Sequence, residues 1–293
     1  MNDTFPPVGD PVETDPNYEK LKAYLKTMGR VVLAFSGGVD SSLLLAAAHD
    51  ALGPRALAIT ACSPTYPDSE KEQAIAIAGL LGARHRLIES REIDRPEFRS
   101  NPPDRCYHCK RILFQELSAI ASLEGGAQVV DGTNYDDRLD IRPGQRAAQE
   151  LGVRSPLAEL GFTKSSIREM AYKRGLPNWN QPACACLASR IPYGQEITPA
   201  KLSRVAAAER AIRALGFDIV RVRDHGDLAR IELPKSDLDR GLAAEARPLL
   251  IEACKRQGYI FVGLDLEGYR TGSLNEALKG KTKPARGNTQ NFL

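Results

Sequence analysis

Two groups of residues in this 293-residue chain have spacings that chemistry can use. One is the string Ser36-Gly37-Gly38-Val39-Asp40-Ser41-Ser42, and the other is a pair of cysteine clusters, Cys106-Tyr107-His108-Cys109 and Cys184-Ala185-Cys186. In the first, glycines let backbone N–H groups converge on an anion, and a helix starting there adds the positive end of its dipole, so phosphate is the expected ligand. The Walker pattern requires a Lys before its last Ser or Thr. Asp40 stands there instead, and a carboxylate suits magnesium better than phosphate. The bland alternative is a Gly-rich turn that only joins a strand to a helix.

The cysteines allow three chemistries. A Cys-X-X-Cys pair serves as half of a zinc site, as a redox dithiol, or as part of an iron–sulfur ligand set. Cys106, Cys109, Cys184 and Cys186 would make four zinc ligands, although the two pairs lie farther apart than zinc-ribbon spacings, and no thioredoxin context supports the dithiol. His108 reads as a surface or packing residue, and Cys62 and Cys254, alone in apolar surroundings, read as inert packing.

The elements that must position these groups alternate. Tyr18 to Met28 reads as an amphipathic helix. Val31 to Phe35 reads as a buried strand, and Leu43 to Ala48 continues as helix after the glycine loop. Ala56 to Ala61 is a second strand, followed by a loop from Cys62 to Asp68, a helix from Ser69 to Leu81 and a short strand from His85 to Ile88. A proline-bearing connection over 94–105 delivers Cys106 and Cys109 to a helix ending near Ala121, and Gln128 to Asp131 is a fourth strand. This alternation predicts a parallel sheet covered on both faces. Ligands bind beyond the carboxyl ends of such strands, so Ser36, Thr60 and Gly132 should open onto one crevice, with Thr60 and Gly132-Thr133-Asn134 lining the ligand's pocket. A helix from Lys164 to Arg174 closes this part. Beyond it the pattern is helix (Pro199 to Leu215), strands (Ile219 to Arg223, Ala229 to Leu233), a single helix (Leu238 to Gln257) and a strand (Tyr259 to Leu264). The expected organisation is a disordered segment over 1–17, an α/β nucleotide domain over 18–194, a small α+β domain over 195–278 and a flexible tail over 279–293.

Composition narrows the class. The chain is 42% hydrophobic and 26% charged, with 40 basic and 37 acidic residues giving +3, which leaves no strong footprint for nucleic acid. No apolar run approaches the roughly 20 residues of a membrane span, and the acidic, proline-bearing start is unlike a signal peptide. A cytoplasmic location is the expectation, and six cysteines in such a chain point to metal or redox chemistry rather than disulfides.

The glycine loop resembles the PP-loop of the ATP pyrophosphatases. That resemblance implies that Ser36, Gly37, Gly38, Ser41 and Ser42 hold the leaving pyrophosphate of ATP while Asp40 positions magnesium. A narrower resemblance rests on Asn101-Pro-Pro-Asp-Arg-Cys-Tyr-His-Cys-Lys110, Asp131-Gly-Thr-Asn-Tyr-Asp136, Asp140-Ile-Arg-Pro-Gly144, Ser155-Pro-Leu157, Cys186-Leu-Ala-Ser-Arg-Ile-Pro-Tyr-Gly194 and Gly268-Tyr-Arg-Thr-Gly-Ser273. From about residue 18 to 276 the chain is similar to the LarE family of ATP-dependent sulfur transferases, which serve nickel-pincer nucleotide synthesis. The resemblance implies a PP-loop, adenine nucleotide alpha hydrolase-like sheet with a smaller C-terminal domain. It implies adenylation of a carboxylate of pyridinium-3,5-biscarboxylic acid mononucleotide and its conversion to a thiocarboxylate.

Two sulfur routes follow from the resemblance. In one, the cysteine matching Cys186 gives up its own sulfur and becomes dehydroalanine. In the other, as in cluster-dependent tRNA thiolases, three cysteines hold a 4Fe-4S cluster. Cys106 and Cys109 beside Cys186 favour the second, with Cys184 an alternative third ligand and sulfide or another sulfur donor as partner. Ser189 and Arg190 would orient the substrate or its phosphate, and Arg221, Arg223 and Arg270 are further phosphate candidates because Arg makes bidentate contacts. Glu209 and Glu232 would handle metal or transferred sulfur. The resemblance also implies a homo-oligomer, and the lack of a spanning apolar run implies no membrane partner. A tRNA thiolase, or a PP-loop ligase with structural zinc, are the competing functions.

Overall fold

The structure, a computed structural model, describes residues 15–139, 143–182, 185–270 and 272–279. Cys184, Asp140 and all of the expected tail but Lys279 lie outside the described residues, as do the first fourteen positions of the expected disordered segment. The chain divides into two compact units, one of residues 1–99 and 104–186, the other of residues 100–103 and 187–293. The division falls after Cys186, where the sequence placed it after Gly194.

The first unit begins with α1 (Pro16–Thr27), whose start is capped by Asp15, the acceptor of the Asn17 N–H at 2.9 Å. It then alternates through β1 (Val31–Ala34), α2 (Val39–Leu52), β2 (Ala56–Cys62), α3 (Asp68–Leu80) and β3 (Arg84–Glu89). The short α4 (Pro96–Arg99) leads to α5 (Arg105–Leu123), β4 (Gln128–Asp131), α6 (Pro143–Glu150), α7 (Pro156–Glu159) and α8 (Lys164–Lys173). The four strands run parallel in the order β3-β2-β1-β4.

Alternate residues explain the two-sided cover. Val31 and Leu33 join Ala58 and Val130 in a core with α1, α2 and α8, whereas Val32 joins Ile59 and Val129 against Phe114 and Leu117 of α5. A strand buried on both faces must be apolar throughout, which is why β1 was legible in the sequence. The chain steps outward from β1 to β2 and β3, then returns to β4 on the other side of β1. The glycine loop after β1 therefore sits where the strand order reverses, the usual place for a ligand crevice in an open α/β sheet.

The second unit holds α9 (Pro199–Ala214), β5 (Arg221–His225), β6 (Leu228–Glu232), α10 (Leu238–Leu242), α11 (Ala246–Lys255), β7 (Phe261–Leu264) and α12 (Glu276–Lys279). β6 pairs antiparallel with β5 and parallel with β7. Its core gathers Ile212, Phe217, Val222, Ile231, Leu250 and Cys254. The single helix expected over 238–257 is two helices. Pro248 in a continuous helix would press its ring on the carbonyl four residues back, so the chain turns extended at Ala243 (ψ 150°) and restarts with Pro248 in the first turn. Asn101, in the left-handed region at φ 54°, donates from Nδ2 to the carbonyls of Ile191, Pro192 and Gln195 at 3.1, 2.8 and 3.1 Å. It stitches together the segment after Arg190.

Candidate active site

The loop between β1 and α2 closes on itself through its hydroxyls. Ser41 Oγ donates to the Gly38 carbonyl at 3.0 Å and lies 3.2 Å from Ser36 Oγ. Gly37 adopts φ +75°, and a Cβ there would stand 3.0 Å from the Ala74 backbone, so glycine is required both by conformation and by space. Ser41 and Ser42 are buried in the first turn of α2, where unpaired N–H groups and the dipole favour an anion.

Asp40 sits in that same turn. Its Oδ2 accepts from Lys164 Nζ at 2.5 Å, while its Oδ1 is buried with no hydrogen-bond partner. Burial pushes the carboxyl above its ordinary range against the pull of Lys164, and Asp137 adds to the rise. An enclosed carboxylate with one unsatisfied oxygen suits a hard cation. Lys164, which sequence reasoning missed, supplies the positive charge that the loop itself lacks. It arrives from the first turn of α8, which Thr163 caps and whose Lys164 N–H donates to Asp136 at 2.7 Å. No local pattern flags it, because its relation to Asp40 is purely tertiary.

The other strand ends behave differently from expectation. Thr60 is buried and its hydroxyl is engaged, donating to the Phe35 carbonyl at 2.8 Å and meeting His85 Nε2 at 2.8 Å. Thr133 donates to Asp131 at 2.9 Å. Both hydroxyls fix strand ends rather than face open space. Gly132 lies against α2: a Cβ there would be 3.0 Å from Ser41 N. Its role is to let the helix start approach β4.

Cys106 and Cys109 occupy the first turn of α5, which in a parallel α/β unit starts on the carboxyl side of the sheet. Cys106 is exposed, while Cys109 and Cys186 are half-buried. The Cys109 thiol is pushed well above its ordinary value by burial, then by Glu92 and Cys186, with Lys110 opposing and Cys106 adding to the rise. Tyr66, on the loop after β2, has its hydroxyl raised by Cys109 first, then by burial, Cys186 and Glu92. Thus Cys109, Cys186, Tyr66 and Glu92 share one electrostatic environment. Glu92 is buried, accepting from Thr65 at 2.8 Å and Ser90 at 2.6 Å and also from Ser63. Among the described residues no three Cys, His, Asp or Glu side chains are arranged to hold a metal ion. His108 stands 3.7 Å from Asp104 and stacks edge-on with Tyr107. Cys254 is fully buried, with its thiol pushed up to about 12 by burial.

In the second unit Arg190, Arg223 and Arg270 hold carboxylates. Arg190, fully buried, meets Glu209 through Nε at 2.8 Å and Nη2 at 2.9 Å. Arg223 meets Glu232 at 2.9 and 2.6 Å and donates to the Ser189 carbonyl at 2.8 Å. Arg221 is buried, donates to the Val220 carbonyl at 2.8 Å and lies over the Tyr269 ring. Arg270 pairs with Glu267 and Glu276 at 2.8 and 3.1 Å. Arg190, Arg223, Glu209 and Glu232 are therefore partners of one another. An anion reaching these arginines has to compete with buried carboxylates, a cost that sequence alone did not reveal.

Residues 16–102, which carry α1 and the glycine loop, match the family model of NAD synthase. An uncharacterized protein of Synechocystis sp. is 44% identical over 260 residues, covering 89% of this chain and 97% of its own length. The pyridinium-3,5-bisthiocarboxylic acid mononucleotide synthase of Lactiplantibacillus plantarum is 39% identical over 259 residues, 88% of this chain and 93% of that protein. An uncharacterized protein of Methanocaldococcus jannaschii is 31% identical over 255 residues, 86% of this chain and 96% of its own. Among the described residues no helix is long and apolar enough to cross a membrane.

Proposed function

This chain belongs to the LarE family, the PP-loop family of the pyridinium-3,5-bisthiocarboxylic acid mononucleotide synthases, and on that premise we propose that it uses ATP to turn a carboxylate of a pyridinium mononucleotide into a thiocarboxylate. The observation that carries this reading is that one compact unit contains both the anion loop with Asp40 and the thiols of Cys106, Cys109 and Cys186. A carboxylate is a poor electrophile because its oxide is a poor leaving group. Attack of the substrate carboxylate on the α-phosphorus of ATP expels pyrophosphate and leaves an acyl adenylate. A sulfur nucleophile then attacks the acyl carbon, and AMP departs.

Each residue has a task in this scheme. The Ser36–Ser42 loop and the start of α2 receive the pyrophosphate, and Lys164 offsets its charge as the bridge to the α-phosphorus breaks. Asp40, through the oxygen that lacks a partner, would hold magnesium against the same phosphates. Cys106, Cys109 and Cys186 would supply three sulfur ligands of the kind that suits iron, and the neighbours that raise the Cys109 thiol include the other two cysteines. Drawing the three sulfurs together is required, since they are not arranged as a closed ligand set. A 4Fe-4S cluster there would supply an open iron position able to carry sulfide. Cys186, which helps raise the Cys109 thiol, serves as the third ligand in this scheme, with Cys184 as the alternative.

The test is anaerobic purification followed by the visible spectrum, iron and sulfide content, and protein mass before and after turnover with ATP and substrate. Iron-bearing protein of unchanged mass, with activity lost in Cys106→Ala and Cys109→Ala, is the expected outcome. Colourless protein that loses the mass of one hydrogen sulfide per turnover would replace the cluster route by sacrifice of Cys186. Absence of AMP formation with any pyridinium carboxylate would reject the function itself.

A further inference from the structure

The Gly37–Gly38 peptide of the anion loop is free to rotate as far as its own residues are concerned, since neither carries a Cβ. Rotation would exchange an N–H for a carbonyl on the phosphate side and turn an anion site into a repulsive one. Something outside the loop has to choose. The Gly37 carbonyl accepts two side-chain amide donors, Gln73 Nε2 from α3 at 2.7 Å and Asn178 Nδ2 from the segment after α8 at 2.7 Å. Asn178 Nδ2 also lies 3.0 Å from Ser42 Oγ. Gln73 is held in turn by Gln181, whose Nε2 donates to Gln73 Oε1 at 2.8 Å, and Gln73 Nε2 reaches back to Gln181 Oε1.

We propose that Asn178 and Gln73 form an amide clamp that positions the Gly37–Gly38 peptide for pyrophosphate. The inference rests on the pyrophosphate role given to the loop above. A trans peptide points its C=O and N–H in opposite directions, so pinning the Gly37 oxygen toward α3 directs the Gly38 N–H to the other side, where Ser36 Oγ lies at 3.4 Å. Two donors on one carbonyl also polarise the peptide and strengthen its N–H as a donor. The orientation of the Asn178 amide follows from this geometry. Reversing it would set oxygen against the Gly37 oxygen, and the amide keeps its present sense even though its own Oδ1 is buried without a partner. Asn178 is only 6% exposed, yet it borders a cavity of about 370 Å³ lined also by Gln73, Asn180 and Gln181. The clamp thus holds the loop from behind, away from the ligand.

The probes are magnesium pyrophosphate and AMP, titrated separately by calorimetry into the full chain. Asn178→Ala and Gln73→Ala each remove one donor and are expected to weaken pyrophosphate binding about tenfold, leaving AMP binding within about twofold. Asn178→Asp places a carboxylate oxygen against the Gly37 carbonyl and is expected to weaken pyrophosphate by about a hundredfold, more than Ala at the same position. Gln73→Glu, at a half-buried site that leaves folding intact, should reproduce that order. The double Ala variant should lose more than the two single losses combined, because each amide partly covers for the other. Equal losses for pyrophosphate and AMP, or unchanged pyrophosphate affinity with only a lower Tm, would overturn the clamp and leave the loop's role standing. Wild-type protein that binds no pyrophosphate, with Ser41→Ala no different from it, would remove that role and the clamp together.

Discussion

Replacing Glu209 by Ala should destabilise the second unit by several kcal/mol. Glu209 Oε1 accepts from Arg190 Nε at 2.8 Å and from the Val222 N–H at 3.1 Å, and Oε2 accepts from Arg190 and Arg213 at 2.9 Å each. Burial alone would push this carboxyl up, but Arg190 foremost, with Arg221 and the Val222 N–H, outweighs it and holds the carboxyl below its ordinary range. Glu209→Ala leaves the Arg190 guanidinium, 0% exposed, without its carboxylate. Breaking a buried pair from one side costs about 3–5 kcal/mol, whereas replacing both partners by apolar groups is often neutral. Arg190→Met with Glu209→Leu should therefore recover most of that loss, since Arg213, 36% exposed, can return to water, leaving about 1–3 kcal/mol for the buried Val222 N–H deprived of its acceptor. The one Trp lies at 179 in the first unit, so its fluorescence does not report this change. Hydrogen exchange read by mass spectrometry does, because the Val222 N–H of edge strand β5 is covered by Glu209 itself. In Glu209→Ala, peptides spanning α9 and β5 should exchange about a hundredfold faster or more. A single variant costing under about 1 kcal/mol, or a double variant costing the sum of both singles, would refute the pair as a buried ionic unit.

Three further outcomes are expected. Gly132→Ala should raise the KM for magnesium ATP about tenfold with little change in Tm, because its Cβ would meet Ser41 N at 3.0 Å and displace the start of α2; an unchanged KM contradicts this packing. Lys164→Met should slow pyrophosphate release about a hundredfold with Lys164→Arg less affected, measured by a coupled pyrophosphate assay, and wild-type rates in Lys164→Met would dismiss its charge role. Burial lowers the His85 pKa from 6.5, so as pH falls through that value the unfolded chain takes up a proton that the native state refuses, and stability drops. Urea midpoints followed by Trp179 fluorescence at about pH 7.5 and about pH 5.5 should converge in His85→Gln relative to wild type, and equal acid losses in both would clear His85 of the effect.

How much of this was legible depended on where each constraint lies. β1, β2 and β4 were readable because strands buried on both faces admit only apolar residues, and the glycine loop because its spacing is local. The break near Ala243 is announced by Pro248, which a helix admits in its first turn and not in its interior. The pairings were not. Val220 and Val222 alternate with Arg221 and Arg223, so the two arginines share one face of β5. A face of arginines in a sequence invites a phosphate. What surrounds that face is decided by residues that arrive from elsewhere: Glu232 from β6, which takes Arg223, and Glu209 from α9, whose carboxyl Arg221 helps hold down. The same limit hid Lys164, which reaches Asp40 from α8, and the amides of Asn178 and Gln73 that reach the Gly37 carbonyl. Residue type and local spacing thus announced which chemistry was available at the loop and the cysteines. Only the packing of distant segments decided which charges were already satisfied, and an arginine becomes an anion site only where that packing leaves it without a carboxylate.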